Sequence, residues 1–96
     1  MKKILIIDDD SYILNLMTGF LEQKGYKTEG SLSGLNGIKL FDKENFDLVL
    51  CDFRLPDSDG YRILQHIKSR KPSVPVIIMT AYSDVRMAVK SIKAGA

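Results

Sequence analysis

The chain has 96 residues, enough for one domain with a modest core and too few for two. It is 45% hydrophobic and 27% charged, as globular proteins usually are, and its net charge of +2 is too small to indicate direct binding to nucleic acid or to a membrane surface. No apolar run is long enough to predict a transmembrane helix. The single cysteine forms no internal disulfide, which suits the reducing cytoplasm that we expect as its location.

The apolar pattern predicts strands that alternate with helices along the whole chain. The predicted strands are 3–7, 26–30, 46–51 and 74–79. The predicted helices are 11–25, 34–44, 61–70 and one that begins near residue 84. Alternation of this kind is typical of a parallel α/β sheet with right-handed crossovers.

The first predicted helix has a clear start, end and apolar face. Ser11 is its predicted N-cap, and Gly25 stands where a helix commonly ends. The apolar residues that we expect to face the sheet recur at helical spacing: they are Ile13, Leu14, Met17, Phe20 and Leu21.

Polar side chains follow several of the predicted strands. Asp8 and Asp9 follow the first strand, Asp52 ends the third, and Thr80 ends the fourth. Because the carboxyl ends of parallel strands open on one edge of the sheet, we expect these residues to converge there. Acids that lie close together repel one another, and a hard divalent cation such as Mg²⁺ relieves that repulsion. Ala81, beside Thr80, is small enough to leave room for a phosphoryl group.

The chemistry that this cluster suggests centres on Asp52. With a cation bound, the Asp52 carboxylate stays ionised and can attack phosphorus, giving an aspartyl phosphate. The Thr80 hydroxyl can donate to a phosphoryl oxygen. The alternative is that Asp52 simply reaches solvent at the end of its strand. Asp10 is interpreted as a residue of the helix start rather than a ligand, and Cys51 as a buried packing residue.

Three segments together carry a family resemblance: "ILIIDDD" at 4–10, "DLVLCDFRLPDSDG" at 47–60 and "VPVIIMTAYSD" at 74–84. The whole chain resembles the receiver domain of bacterial two-component response regulators, and within that family it is most similar to the nitrogen-response branch. The resemblance implies a flavodoxin-like, doubly wound parallel sheet with strand order 2-1-3-4 and a fifth strand and helix that are missing here. Residues 1–96 would then be one receiver domain, incomplete at its C-terminus.

By resemblance, Asp52 accepts a phosphoryl group from a sensor histidine kinase. Asp9, Asp52 and the backbone carbonyl of Arg54 ligate Mg²⁺, and Asp8 binds it through water. Thr80 contacts the phosphoryl group and moves with the switch. The family's signalling surface corresponds here to Tyr82, Arg86 and Lys90, although such side chains are also common on ordinary solvated faces.

The resemblance also implies a role and partners. The domain phosphorylates itself from phosphohistidine and loses the group by slow autodephosphorylation, and it is no turnover enzyme. It controls a C-terminal output domain that binds DNA or is an ATPase, and so regulates transcription.

Three other functions compete with this interpretation. An aspartate-nucleophile phosphatase needs a second acid two residues after the nucleophile, where this chain has Arg54. A nucleotide-binding site would depend on Gly30, Gly34 and Gly37, whose spacing matches neither common glycine-rich motif. A phosphorylation-independent docking or dimerisation module stays open, because the family's lysine after the fifth strand is absent.

The missing fifth strand and helix lead to an expectation about assembly. The fourth strand becomes an apolar sheet edge, which favours pairing with a second chain. We therefore expect a homodimer or a swapped oligomer. The inward residues expected to lose part of their burial are Ile4, Ile6, Val76 and Ile78.

Overall fold

The structure, a computed structural model, describes residues 2–79. Strands and helices alternate in chain order: β1 (Lys3–Ile7), α1 (Ser11–Gln23), β2 (Lys27–Ser31), α2 (Gly34–Lys43), β3 (Leu48–Asp52), α3 (Gly60–Arg70) and β4 (Val76–Met79). The helix predicted from Asp84 lies outside the described residues. Within them, no helix is both long and apolar enough to cross a membrane.

The strands form one parallel sheet in the order β2-β1-β3-β4, as predicted for a flavodoxin-like fold. The observed bounds differ from the predicted ones mainly at β3, which begins at Leu48 and includes Asp52. β4 begins at Val76, one residue after Pro75, whose carbonyl accepts the Val49 N–H at 3.0 Å. Proline has no N–H of its own to give to a ladder, so it stands just before the strand.

The main core lies between the sheet and helices α2 and α3. Alternate residues of β1 and β3 line this core, because every second residue of a strand points to the same face. The helices supply Phe41, which is fully buried, and the apolar face of α3. The buried members of this core are Leu5, Ile7, Phe41, Phe46, Val49, Cys51, Ile63, Leu64, Ile67, Val74 and Val76.

Helix α1 covers the opposite face of the sheet, over β1 and β2. Gly30 is paired with Ile6, and a Cβ on Gly30 would lie 3.1 Å from the Leu14 side chain, so the helix approaches the sheet closely here. Leu14, Met17 and Leu21 are half-buried against the sheet.

Two of the residues predicted to face inward from α1 do not. Ile13 is 37% exposed and Phe20 is 59% exposed. The apolar residues of α1 spread over more of the helix circumference than the sheet covers. Tyr12, Leu16 and Phe20 recur every fourth residue on a side of α1 that points away from β1 and β2, and all three are exposed.

The loss of burial expected at Ile4, Ile6 and Val76 is wrong, whereas Ile78 is only partly buried. Ile4, Ile6 and Val76 are buried, and Ile78 is half-buried against the main core. β1 has a strand on each side and helices over both faces, while Val76 and Ile78 share the face that α3 covers. The exposed residue is instead Ile77, at 51%, on the other face of β4. Association through this strand stays a prediction.

Gly37 sets how closely α2 approaches β1. A Cβ built on Gly37 would lie 2.4 Å from Cδ1 and 2.7 Å from Cγ1 of Ile7, which is fully buried and cannot swing aside. Gly37 therefore lets α2 lie close to β1.

We predict that Gly37→Ala destabilises the fold by about 1–3 kcal/mol, the usual cost of overpacking, despite the better helix propensity of alanine. Urea denaturation measures the change. The matched control is Gly19→Ala in α1, where a Cβ meets nothing within 4 Å, and where we expect a gain of up to about 1 kcal/mol. Equal effects at the two positions would contradict the close approach.

Candidate functional site

The register of the two central strands brings their terminal acids together. Ile7 of β1 is paired with Cys51 of β3, so the next residues, Asp8 and Asp52, leave the sheet side by side. One carboxylate oxygen from each of Asp8, Asp9 and Asp52 lies within 4.8 Å of the other two. The convergence predicted for these acids is therefore observed.

The consecutive acids Asp8, Asp9 and Asp10 have different surroundings. Asp8 is buried; its N–H donates to the Ser31 carbonyl at 3.0 Å, and its Oδ1 accepts the Asp10 N–H at 2.9 Å. Asp9 is exposed. Asp10 is the N-cap of α1, and its Oδ1 accepts the N–H groups of Tyr12 and Ile13 at 2.9 and 3.3 Å.

These contacts settle the two predictions about the start of α1. The interpretation of Asp10 as a helix-start residue is confirmed, and Ser11 as the N-cap is wrong. Asp10 is the N-cap because its carboxylate accepts hydrogen bonds from two N–H groups of the first turn at once.

Asp52 is half-buried, and its charge is disfavoured there. Burial, and next the Asp8 carboxylate, raise the pKa of Asp52 above its ordinary value, while hydrogen bonds from the Arg54 and Phe53 N–H groups act the other way. A cation among these carboxylates would counteract the shift, because a nearby positive charge favours the ionised form. The site is therefore one in which cation binding and ionisation of Asp52 favour each other.

The donor set fits a single Mg²⁺ ion. Two oxygens bound to the same Mg²⁺ lie at most about 4.2 Å apart, twice the usual metal–oxygen distance. The three carboxylate oxygens lie within 4.8 Å of one another, close to that limit. All three ligands are hard oxygens, as Mg²⁺ prefers.

The loop after β3 turns back tightly beside Asp52. The Phe53 N–H donates to the Met79 carbonyl at 2.8 Å, and the Gly60 N–H donates to the Phe53 carbonyl at 2.7 Å. A Cβ on Gly60 would lie 3.0 Å from Phe53 Cα and 3.1 Å from the Asp52 carbonyl oxygen. Glycine at this position therefore permits the return of the backbone, and Asp59 then caps α3 through the Arg62 N–H at 2.9 Å.

Asp57, in the same loop, was not singled out from the sequence. Its Oδ1 accepts the Gly34 N–H at 2.9 Å and its Oδ2 accepts the Leu35 N–H at 2.8 Å, and these bonds lower its pKa. The only local signal is the turn-forming run "PDSDG", which says nothing of a partner in α2.

The thiol next to the acid cluster takes no part in its chemistry. Cys51 is fully buried in the main core, and burial, followed by the charge of Asp52, raises its pKa to about 12. It stays protonated at neutral pH and is a poor nucleophile. Its interpretation as a packing residue is confirmed.

The remaining predicted site residues are only partly located. Arg54 lies in the loop two residues after Asp52 and forms an antiparallel bridge with Asp59, and its carbonyl as a metal ligand stays a prediction. The others lie outside the described residues: Thr80, Ala81, Tyr82, Arg86 and Lys90.

Comparison with known proteins gives a consistent result. Residues 4–96 match the family described as the response regulator receiver domain. The transcriptional regulatory protein ZraR of Klebsiella oxytoca is 42% identical over 93 residues, which are 97% of this chain and 21% of that protein. The chain thus spans about a fifth of the length of that relative. ZraR is a regulator of the nitrogen-response type, which confirms the predicted likeness to that branch.

Smaller relatives match over most of their own length. The sporulation initiation phosphotransferase F of Bacillus subtilis is 39% identical over 95 residues, 99% of this chain and 77% of that protein. The response regulator protein TrrA of Thermotoga maritima, solved in complex with Mg(2+)-BeF, superposes with a TM-score of 0.90 at 33% identity. That comparison covers 99% of this chain and 83% of the other.

The raised pKa of Asp52 predicts how stability depends on pH. The folded carboxyl binds its proton more tightly than the unfolded one, so stability falls as the pH rises through the folded-state pKa. We expect Asp52→Asn to be more stable than the parent at pH 7 in EDTA. The difference should shrink on acidification and vanish well below the ordinary Asp pKa of about 3.9. Chemical denaturation at a series of pH values measures it.

Asp57→Asn provides a control of the opposite sign. Its pKa is lowered in the folded state, so its stabilising effect is present above the ordinary Asp pKa and is lost as the pH falls. This variant should be less stable than the parent at pH 7 and should lose that deficit in acid. The same pH trend in both variants would contradict the analysis.

Proposed function

The chain belongs to the response regulator receiver domain family, and from this membership we propose that Asp52 is its phosphate acceptor. In this proposal a histidine kinase supplies the phosphoryl group, and the reaction requires Mg²⁺. The observation that carries the proposal is the meeting of the Asp8, Asp9 and Asp52 carboxylates at the ends of β1 and β3.

The proposed transfer has one nucleophile. An Asp52 carboxylate oxygen attacks phosphorus; the new P–O bond forms while the P–N bond to the kinase histidine breaks. The imidazole nitrogen keeps the electron pair of the broken bond and takes up a proton. Asp52 is half-buried at the end of its strand, which leaves part of its side chain open to a donor.

The residues that would hold Mg²⁺ are Asp9, Asp52 and the Arg54 carbonyl, with Asp8 acting through water. The ion would supply positive charge to the phosphoryl oxygens when bound. The hydrogen bond from the Asp10 N–H keeps the Asp8 carboxylate oriented at this edge. Asp8 therefore enters the reaction with little side-chain freedom left to lose.

The residues beyond the described part keep their proposed roles. The Thr80 hydroxyl contacts the phosphoryl group and Ala81 leaves room for it. The surface that then changes includes Tyr82, Arg86 and Lys90.

The partners are also proposed. Because the chain spans 21% of ZraR, the kinase and the controlled output domain are inferred from the family. We place the protein in the cytoplasm, where its output domain regulates transcription. Asp52 accepts one phosphoryl group and loses it slowly to water, so the domain is a switch and not an enzyme with turnover.

We predict that Mg²⁺ binds at this cluster and that Asp9→Asn weakens its binding about tenfold or more, because an anionic ligand is lost. Amide chemical shifts of residues 52–60 during a Mg²⁺ titration give the dissociation constant.

Asp10→Asn is the matched control for this titration. It removes the neighbouring charge but keeps a side-chain oxygen able to cap α1. We expect it to change the Mg²⁺ affinity less than about threefold, since an exposed charge is screened at physiological salt. If Asp9→Asn binds Mg²⁺ as tightly as Asp10→Asn, the assignment of the ligand is wrong.

We predict that acetyl phosphate or a phosphorylated histidine kinase labels the full-length protein on Asp52. Asp52→Asn should carry no label, because the amide oxygen is a far weaker nucleophile. Phosphate incorporation with Mg²⁺ and with EDTA measures this, and the EDTA sample should stay unlabelled. Label that persists in Asp52→Asn would assign the acceptor elsewhere. No label in the parent would favour the phosphorylation-independent docking module.

A further inference from the structure

The loop between β3 and α3, residues 53–59, is hydrogen-bonded to a distant helix through the side chain of Asp57. Both carboxylate oxygens of Asp57 accept backbone N–H groups at the start of α2, from Gly34 at 2.9 Å and Leu35 at 2.8 Å. These partners are 23 and 22 residues away along the chain. A carboxylate that accepts two such bonds is held in both position and orientation.

The start of α2 is built to receive this loop. A Cβ on Gly34 would lie 3.0 Å from Ser58 Cβ and 3.3 Å from Leu55 Cδ1, so the loop lies directly against the first residue of the helix. The N-cap, Ser33, accepts the Asn36 N–H at 3.2 Å, while Asp57 takes the N–H groups of Gly34 and Leu35. Three donors of the first turn are thus divided between two side chains.

Helix α2 is a firm support for the loop. Phe41 anchors it in the main core, and Gly37 lies against Ile7, the residue that precedes Asp8. Backbone hydrogen bonds fix the two ends of the loop, from Phe53 to Met79 and from Gly60 to Phe53. Leu55 packs against the main core, and Asp57 adds the hydrogen bonds that join the loop to the start of α2.

We propose that Asp57 is a positioning residue for the acidic site. By fastening the loop tip to α2, it holds the segment that carries the Arg54 carbonyl at a fixed distance from Asp52. Asp57 itself touches neither Mg²⁺ nor the phosphoryl group. The inference rests on the proposed function, since it assigns a role to the loop only if the acid cluster binds Mg²⁺.

The expected loss of Mg²⁺ affinity can be judged from the supporting contacts of other metal sites. Partners that orient the ligands of a metal typically change its affinity by about 10–100-fold when they are removed. The loop here keeps the fastening at both ends, so we expect Asp57→Ala to weaken Mg²⁺ binding by about 3–10-fold, less than that range. Labelling of Asp52 should slow by a similar factor.

The experiment compares Asp57→Ala, Asp57→Asn and Asp57→Glu with Asp47→Asn in the full-length protein. Asp47 is the matched control: its Oδ2 also accepts a backbone N–H, from Lys3 at 2.8 Å, but it lies before β3, at the opposite end from Asp52. The readouts are the Mg²⁺ dissociation constant, the labelling rate, the unfolding free energy and the hydrogen exchange of the Gly34 and Leu35 amides.

The expected result is a graded loss of Mg²⁺ affinity. Asp57→Ala should lose most. Asp57→Asn keeps one acceptor oxygen and should lose less, and it provides the test if the alanine variant folds poorly. Both should speed exchange at Gly34 and Leu35. Asp47→Asn should lose stability without a change in Mg²⁺ affinity beyond about twofold, as expected for a site remote from the metal.

Two outcomes would overturn the inference. One is a Mg²⁺ affinity in Asp57→Ala and Asp57→Asn that stays within about twofold of the parent. The hydrogen bonds of Asp57 would then contribute to stability alone. The other is an affinity restored by Asp57→Glu while exchange at Gly34 and Leu35 stays fast, which would assign the effect to charge. A parent that binds Mg²⁺ and is labelled on Asp52 leaves the proposed function standing in both cases. A parent that does neither overturns both.

Discussion

The pairing register of β1 with β3 is the constraint on which the site depends. Ile7 lies opposite Cys51, so both strands reach the edge of the sheet at the same level and Asp8 meets Asp52. A slip of one residue would move Ile7 away from the space that Gly37 leaves for it, so the same helix–sheet packing that fixes the fold also fixes the acids. No separate device is needed to bring β1 and β3 into alignment at the site.

The acid cluster of the site destabilises the fold that positions it. Gathering carboxylates beside a buried strand end raises the pKa of Asp52, which means that the ionised site costs folding free energy. The core beneath it offsets this cost with tight helix–sheet contacts, as Gly37 against Ile7 shows. A local rule is thus broken where the chemistry would be carried out, as is usual for functional sites.

Much of this could be predicted from the sequence because it depends on patterns along the chain. Strand–helix alternation predicts the sheet, and acids directly after strands predict the cluster at its edge. Contacts set by three-dimensional proximity could not be predicted in this way. Nothing in "PDSDG" indicates that Asp57 reaches Gly34, and helical spacing alone cannot show that Phe20 lies on a side of α1 away from the sheet. Adjacent capping residues also compete, and the geometry decided for Asp10 over Ser11.

The burial of Cys51 gives the molecule a reporter of its own breathing motions. It is the only cysteine of the chain, and it lies one residue before Asp52 on a central strand, fully enclosed by the core. An alkylating reagent can reach its sulfur only when β3 separates from its cover, so the rate of alkylation in native buffer counts those openings. A ligand that binds only while β3 is in place slows alkylation more as its concentration rises above its dissociation constant, so the thiol reports how fully the site is occupied.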